Sequence, residues 1–313
     1  MCNNISWYRS CQVTLEVECK MESFEVILKP ICLVILIVLC LHAMPSSCNF
    51  TSFVFGDSLV DAGNNDYIFT LSKADSPPYG IDFTPSGGQP TGRFTNGRTI
   101  ADIVGQSLGA KSFPPPYLAP NTEAQAILRG INYASGASGI MDKTGFFFRL
   151  HEMGARKFIV VGVGPLGCIP FVRALKLLRS GQCSSAVNTL IQAYNQRLKE
   201  LLSRLNQEMG PETIFVFANS YNVFMDIIAN YHQYGLENAN DPCCGGYFPP
   251  FVCFKSSDAN TSALCDDRSK YVFWDAYHPT EAANLIIAKQ LVDGDESVSF
   301  PINIRKLYTY NNS

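Results

Sequence analysis

Phe53-Val54-Phe55-Gly56-Asp57-Ser58-Leu59-Val60-Asp61-Ala62-Gly63-Asn64-Asn65 is an apolar run, aromatic and β-branched, that stops at Gly56 and sets a serine on the turn behind it. In a parallel sheet, a strand ending this way lifts a hydroxyl to the mouth of the sheet, where a base can activate it. The complementary segment lies near the other end of the chain, at Phe273-Trp274-Asp275-Ala276-Tyr277-His278-Pro279-Thr280-Glu281. There an acid and an imidazole stand three residues apart on a turn leading into a helix at Pro279, so the carboxylate can fix the tautomer of the ring. Ser58, Asp275 and His278 are therefore expected to form a catalytic triad. Alone, Ser58 reads more readily as a turn or N-cap residue than as a nucleophile, and a helix N-cap is the lesser alternative for Asp275. The two segments together carry the chemistry.

Between these blocks the chain alternates strand and helix, which predicts a mostly parallel sheet covered on both faces. Strands are expected at Ser52 to Phe55, Ile131 to Tyr133, Lys157 to Val163 and Thr213 to Ala218, with another strand-like run at Tyr271 to Trp274. Helices are expected at Arg98 to Leu108, Ala186 to Met209, Tyr221 to Tyr234 and Thr280 to Val292. In the longest, Val187, Leu190, Ile191, Tyr194, Leu198, Leu201, Leu202 and Leu205 recur at three and four, predicting one stripe against the sheet; Gly210-Pro211 then stops the helix. The Pro- and Gly-rich stretch from Ser76 to Pro120 is expected to wrap the surface and edge a substrate cleft.

Composition narrows the function. With 47% hydrophobic and 16% charged residues in 313, the chain can build the core of one α/β domain. A net charge of −3, a pI near 5.8 and the lack of a basic stripe exclude a nucleic-acid partner. Residues 1–48 read as an N-terminal extension and signal peptide, with Ile31 to Leu41 as its apolar core. That run is too short to span a bilayer comfortably, and a start at Met21 gives the more ordinary signal. The hydrolase domain is then 49–313, without stable membrane insertion after cleavage.

Export agrees with cysteine usage. Cys168, Cys183, Cys243, Cys244, Cys253 and Cys265 form an even set able to make three disulfides, with Cys168 to Cys183 the easiest local pair. A zinc site in the Cys243 to Cys265 cluster is the weaker alternative, because adjacent cysteines without a second C-x-x-C pair or a histidine are poor ligands by spacing. Asn49-Phe50-Thr51 and Asn260-Thr261-Ser262 are sequons for N-glycans. Three other motifs carry little. Asp57 and Asp61 are not placed across a cleft as glycosidase carboxylates are. Val60 breaks the G-x-S-x-G elbow. In Gly162-Val163-Gly164-Pro165-Leu166-Gly167, Pro165 argues against dinucleotide binding.

From about Thr51 onward the sequence resembles the plant-type GDSL esterase/lipase family of SGNH hydrolases. The two terminal blocks carry the likeness, with GGQPTGRFTNGRTIAD (Gly87 to Asp102), GINYASGASGI (Gly130 to Ile140), GARKFIVVGVGPLGCIP (Gly154 to Pro170) and DPCCGG (Asp241 to Gly246) between them. The resemblance implies a three-layer α/β/α, flavodoxin-like fold and a secreted esterase or lipase acting at the cell wall or apoplast. It implies lipid or other acyl esters as substrates, and no cofactor or metal. It also implies an oxyanion held by the Ser58 amide, the Gly136 amide and an asparagine from a Gly-x-Asn-Asp block. No such block occurs in this chain. Against the family pattern a stretch on the order of sixty to seventy residues is missing near Gly145 to Leu150, enough for a strand and its crossover. One central strand is expected to be lost with it. The alternative reading is a non-catalytic, truncated isoform that acts as a secreted binding protein.

Overall fold

The computed structural model describes residues 51–120, 122, 130–138, 151, 154–247 and 264–310. The apolar run at 31–41, the acceptor asparagines of both sequons and the junction near 145–150 lie outside the described residues. Strand β1 (Ser52–Val54) pairs in parallel with β2 (Gly130–Asn132), Phe53 opposite Ile131. Strand β3 (Lys157–Val161) pairs in parallel with β4 (Ile214–Ala218), whose other side carries the short antiparallel β7 (Ser299–Phe300). A third parallel pair joins β5 (Asn238–Pro242) to β6 (Tyr271–Phe273). The helices are α1 (Ile100–Ser107), α2 (Pro170–Leu175), α3 (Ser185–Glu208), α4 (Ser220–Ala229), α5 (Glu281–Asp293) and α6 (Ile304–Thr309). This is the mostly parallel α/β architecture expected from the alternation of elements. Among the described residues, no helix is long and apolar enough to cross a membrane.

Among the described residues β4 alone of the named strands pairs with two others. Among the described residues β1 pairs only with β2, and β3 only with β4. Parallel strands are normally buried on both faces. Here Phe53 is 49% exposed and Val161 51%. The junction at which one central strand is expected to be lost lies outside the described residues.

Packing elsewhere is dense. Val272 and Phe273 of β6, Val223 and Ile227 of α4, Ile287 and Leu291 of α5 and Ile304 of α6 form the main core. On the other face of the β3–β4 pair, Phe158, Phe215 and Phe217 meet Leu202 of α3, with Phe158 and Phe215 stacked at 4.5 Å between centroids. The apolar stripe expected along α3 is only partly right. Leu190 is 72% exposed, and Tyr194 and Leu201 are also exposed, whereas Asn188 and Asn195 are buried. Asn195 accepts from the Val163 N–H and donates to its carbonyl, both at 2.8 Å. Asn206 does the same for Phe215, at 2.8 and 2.9 Å. The inner face of α3 must satisfy backbone groups at and beyond the strand ends, so amides stand where periodicity counts only apolar side chains.

The segment from Ser76 to Pro120 also departs from expectation. Its centre is buried: Arg93, Phe94, Thr95, Asn96 and Thr99 are each at most 6% exposed. Arg93 forks onto Asp102 at 2.8 and 3.1 Å, and Thr99 with Asp102 forms a capping box that starts α1. The remaining expected elements lie within a few residues of their predicted bounds, except that the Tyr221 to Tyr234 helix ends at Ala229 and Tyr231–Tyr234 is a separate 3-10 turn. Cys168 is bonded to Cys183, as the local spacing suggested, and Cys243 to Cys265. Cys244 is disulfide-bonded too, to a partner outside the described residues.

Asn195→Ala is expected to cost about 1–3 kcal/mol, because it leaves both backbone groups of Val163 without their partner. Leu190→Ser should stay within about 0.5 kcal/mol. Urea denaturation of the two variants checks the contrast.

Candidate active site

The turn behind β1 is built by its acids. Asp57 accepts from the Leu59 N–H at 3.0 Å, and its carbonyl accepts from Val60 N–H at 3.3 Å, which closes a tight turn around Ser58. Asp61 is fully buried. Its Oδ1 accepts from the N–H groups of Gly63 and Asn64, both at 2.8 Å, and its Oδ2 from that of Gly136 at 2.9 Å. Gly63 follows at φ +126, where a Cβ would lie 2.4 Å from the Thr91 carbonyl oxygen. Only glycine fits there. Asn64 and Asn65 bind this turn to the loop behind β2. Asn64 donates to the carbonyls of Asn132 and Ala134, and Asn65 donates to that of Gly136 and accepts from the Ser135 hydroxyl.

The second segment folds on itself in the same economical way. The Trp274 N–H donates to the His278 carbonyl at 2.7 Å, and Asp275 Oδ1 accepts from the N–H groups of Tyr277 at 2.8 Å and His278 at 2.7 Å. The Thr280 hydroxyl accepts from Ala283 N–H at 3.1 Å and so caps α5. The imidazole is thus delivered by the last turn before a helix.

The structure brings the three expected triad residues together. His278 Nε2 lies 2.7 Å from Ser58 Oγ, and Nδ1 lies 2.8 Å from both carboxylate oxygens of Asp275. Asp275 and His278 are buried while Ser58 is half-buried, so the chain of three runs from the interior to the surface. Burial alone would raise the Asp275 pKa. The His278 charge and hydrogen bonds from the His278 ring and the two backbone N–H groups outweigh it, and the carboxyl ends below the usual range. A buried carboxylate bonded to Nδ1 leaves the lone pair at Nε2, facing the serine, which is what a general base needs.

Gly136 is placed differently from expectation. Its one amide proton points at Asp61, so it holds the loop Ser135 to Ser138 against the Ser58 turn and is not presented to solvent. The loop is tied further by Ser135 N–H and Ser138 Oγ, both donating to the Gly56 carbonyl at 3.0 and 2.8 Å. The Ser58 N–H donates to no protein atom among the described residues. Sequence reasoning missed three contributors: Asp61, which it weighed only as half of a glycosidase pair; Tyr79, whose hydroxyl donates to Asp275 Oδ2 at 2.9 Å; and Phe94, whose ring lies 5.2 Å from the His278 ring. The D-x-G-N pattern at Asp61 is a local turn signature. Tyr79 and Phe94 arrive from the irregular segment and have no periodic signal.

Asp66, on the 3-10 turn Asn64–Tyr67, is pushed up to about 6 by burial and by the charges of Asp75 and Asp61. Its folded form keeps a proton that the unfolded chain gives up near 3.8. The stability this contributes is present below the ordinary carboxylate range and is lost as pH rises through about 6. Asp66→Asn is therefore expected to raise the melting temperature at pH 7.5, with the gain fading towards pH 4. Melting curves at the two pH values test the sign.

Comparison with known proteins places this site. The sequence profile of the GDSL-like Lipase/Acylhydrolase family matches residues 148–291. A GDSL esterase/lipase of Arabidopsis thaliana is 51% identical, covering 83% of this chain and 93% of the relative. Two others from the same plant are 41% and 40% identical, each over 82% of this chain and 90% and 87% of the relative. In the first alignment, 344 positions take in 83% of 313 residues, about 260, so on the order of eighty positions of the relative have no counterpart here. The chain belongs to the GDSL esterase/lipase family, with its three-layer α/β/α fold, and is a carboxylic ester hydrolase.

Proposed function

We propose that this chain is a secreted esterase that cleaves acyl esters through Ser58, His278 and Asp275. The observation that carries the reading is the unbroken series of short contacts from Ser58 Oγ through the imidazole to the buried carboxylate. His278 Nε2 takes the Ser58 proton as Oγ bonds to the ester carbonyl carbon, and Asp275 stabilises the imidazolium that results. The tetrahedral intermediate collapses, and the alcohol leaves with the proton from His278. Water, deprotonated by the same nitrogen, then attacks the acyl-serine and releases the acid. The Ser58 N–H is the oxyanion donor at hand. Each absent donor lowers the rate about a hundred- to a thousandfold, so a site that depends on this amide alone works slowly.

The surroundings of Ser58 favour a long acyl chain. Phe55 and Leu59 flank the serine turn, each 41% exposed. On the two segments that Asn65 and Asn64 tie to that turn, Phe69 and Leu71 stand fully in solvent beside Ser72, and Tyr117 and Leu118 are exposed on the other. Such an apolar rim suits the hydrocarbon part of a lipid ester. Secretion is supported by the apolar run at 31–41 and by disulfide bonding of Cys168, Cys183, Cys243, Cys244 and Cys265, which persists in oxidising compartments. Glycans at Asn49 and Asn260 belong to the same reading.

The full chain, expressed through a secretory pathway and treated with a fluorophosphonate, should carry one adduct on Ser58 by peptide mapping. His278→Ala should abolish labelling, and Asp275→Asn should slow it by roughly 10⁴-fold through the wrong tautomer. A soluble, folded chain that takes no label would overturn this reading in favour of a non-catalytic binding protein. Replacing Phe69 and Leu71 together by serine is expected to lower kcat/KM on a long-chain ester about tenfold, equivalent to ~1.4 kcal/mol, while sparing an acetyl ester.

A further inference from the structure

Asp275 presents two oxygens, and their surroundings are unequal. Oδ1 accepts two backbone N–H groups from its own turn, at 2.8 and 2.7 Å. Oδ2 accepts none. Its partners are the imidazole Nδ1, which it shares with Oδ1, and the Tyr79 hydroxyl at 2.9 Å, reached across 196 residues of chain. Tyr79 is half-buried, with its ring edge-on to Trp274 at 6.0 Å and to Phe94 at 6.3 Å, and Phe94 in turn packs on His278. The phenol cannot swing away without breaking this aromatic cluster.

We infer that Tyr79 is a positioning residue for ester hydrolysis, fixing the plane of the Asp275 carboxylate and sharing its charge through Oδ2. The inference rests on the triad reading above. Two consequences follow from hydrogen bonding alone. Nδ1 is equidistant from both oxygens, so the ring contact selects no rotation of the carboxylate; the two backbone N–H groups hold Oδ1, and the Tyr79 donor completes the selection by holding Oδ2. A donor on Oδ2 also withdraws negative charge from the side facing the ring, which moderates how strongly Asp275 holds His278 in its cationic form. Burial, followed by the charge and hydrogen bond of Asp275, pushes the Tyr79 hydroxyl well above its ordinary pKa, so it remains a protonated donor throughout the working range.

Tyr79→Phe in the full chain keeps the ring and removes the donor. The acidic limb of the pH profile for fluorophosphonate labelling at Ser58 should move to higher pH, because the Asp275 charge then acts on the imidazole without the Tyr79 donor drawing on it. The maximal rate should fall about three- to tenfold. The downfield proton resonance of the Asp275–His278 bond should shift as well, a change that a purely space-filling tyrosine would not produce. A folded Tyr79→Phe protein with both limb and resonance unmoved would overturn the inference. If the unmodified chain takes no label, the esterase reading fails by itself, and the proton resonance alone decides Tyr79: a shift upholds the positioning role, and an unmoved or absent resonance refutes it.

Discussion

The Asp275 carboxylate is the charge around which the site is organised. It is fully enclosed, and an enclosed carboxylate persists as an anion only where donors and a cation-forming partner compensate its desolvation. The chain provides these in three ways: two N–H groups from the next turn, one imidazole and one distant phenol. Each donor also fixes geometry. The backbone donors set the turn that aims His278, and the phenol brings the irregular 76–99 segment against it. The same hydrogen bonds that make the charge tolerable also place the base at Ser58.

Ser58 and His278 follow strands that belong to different sheets among the described residues, β1 paired with β2 and β6 with β5. Their 2.7 Å contact is therefore not a consequence of adjacent strands. The Pro- and Gly-rich segment joins the halves. Arg93 donates to the Ala62 carbonyl on the serine side and pairs with Asp102. Thr95 donates to the Pro279 carbonyl, Asn96 accepts from Glu281 N–H, Arg98 pairs with Glu281, and Asp82 receives the Arg268 fork. Side chains of an irregular segment thus do here what a strand ladder would do in a continuous sheet. This is how a closed Ser–His–Asp series forms although, among the described residues, β1 pairs only with β2 and β3 only with β4.

The parts legible in the sequence are those whose signal is local. Phe53 to Ser58 reads as strand and turn because both are written in consecutive residues, and Asp275 with His278 because their spacing fits one turn. Helix α3 was legible as a helix, yet its inner face was misread at Leu190, Tyr194 and Leu201. Apolar periodicity cannot show that the facing surface is unpaired backbone calling for Asn188, Asn195 and Asn206. Short elements such as α2, β7 and α6 span less than two turns or a few strand residues, below what a periodic pattern can resolve. Tyr79 lies furthest from view, since its partner is 196 positions away and nothing near it announces a buried acceptor.

The open edges bear on how the chain survives as much as on how it works. An exposed edge with apolar side chains is a template for pairing with another chain, and proteins normally cover or charge it. On β3, Ile159 and Val161 are exposed, and on β1, Phe53 is. Some protection comes from Lys157, which opens β3 with a charge and reaches the Tyr308 carbonyl of α6 at 3.0 Å, and from the brevity of β1, three residues long. The relatives, longer by on the order of eighty aligned positions, have chain available to cover such edges. In this chain the disulfides and the 76–99 segment restrain the elements beside these strands, so the site is held from its flanks.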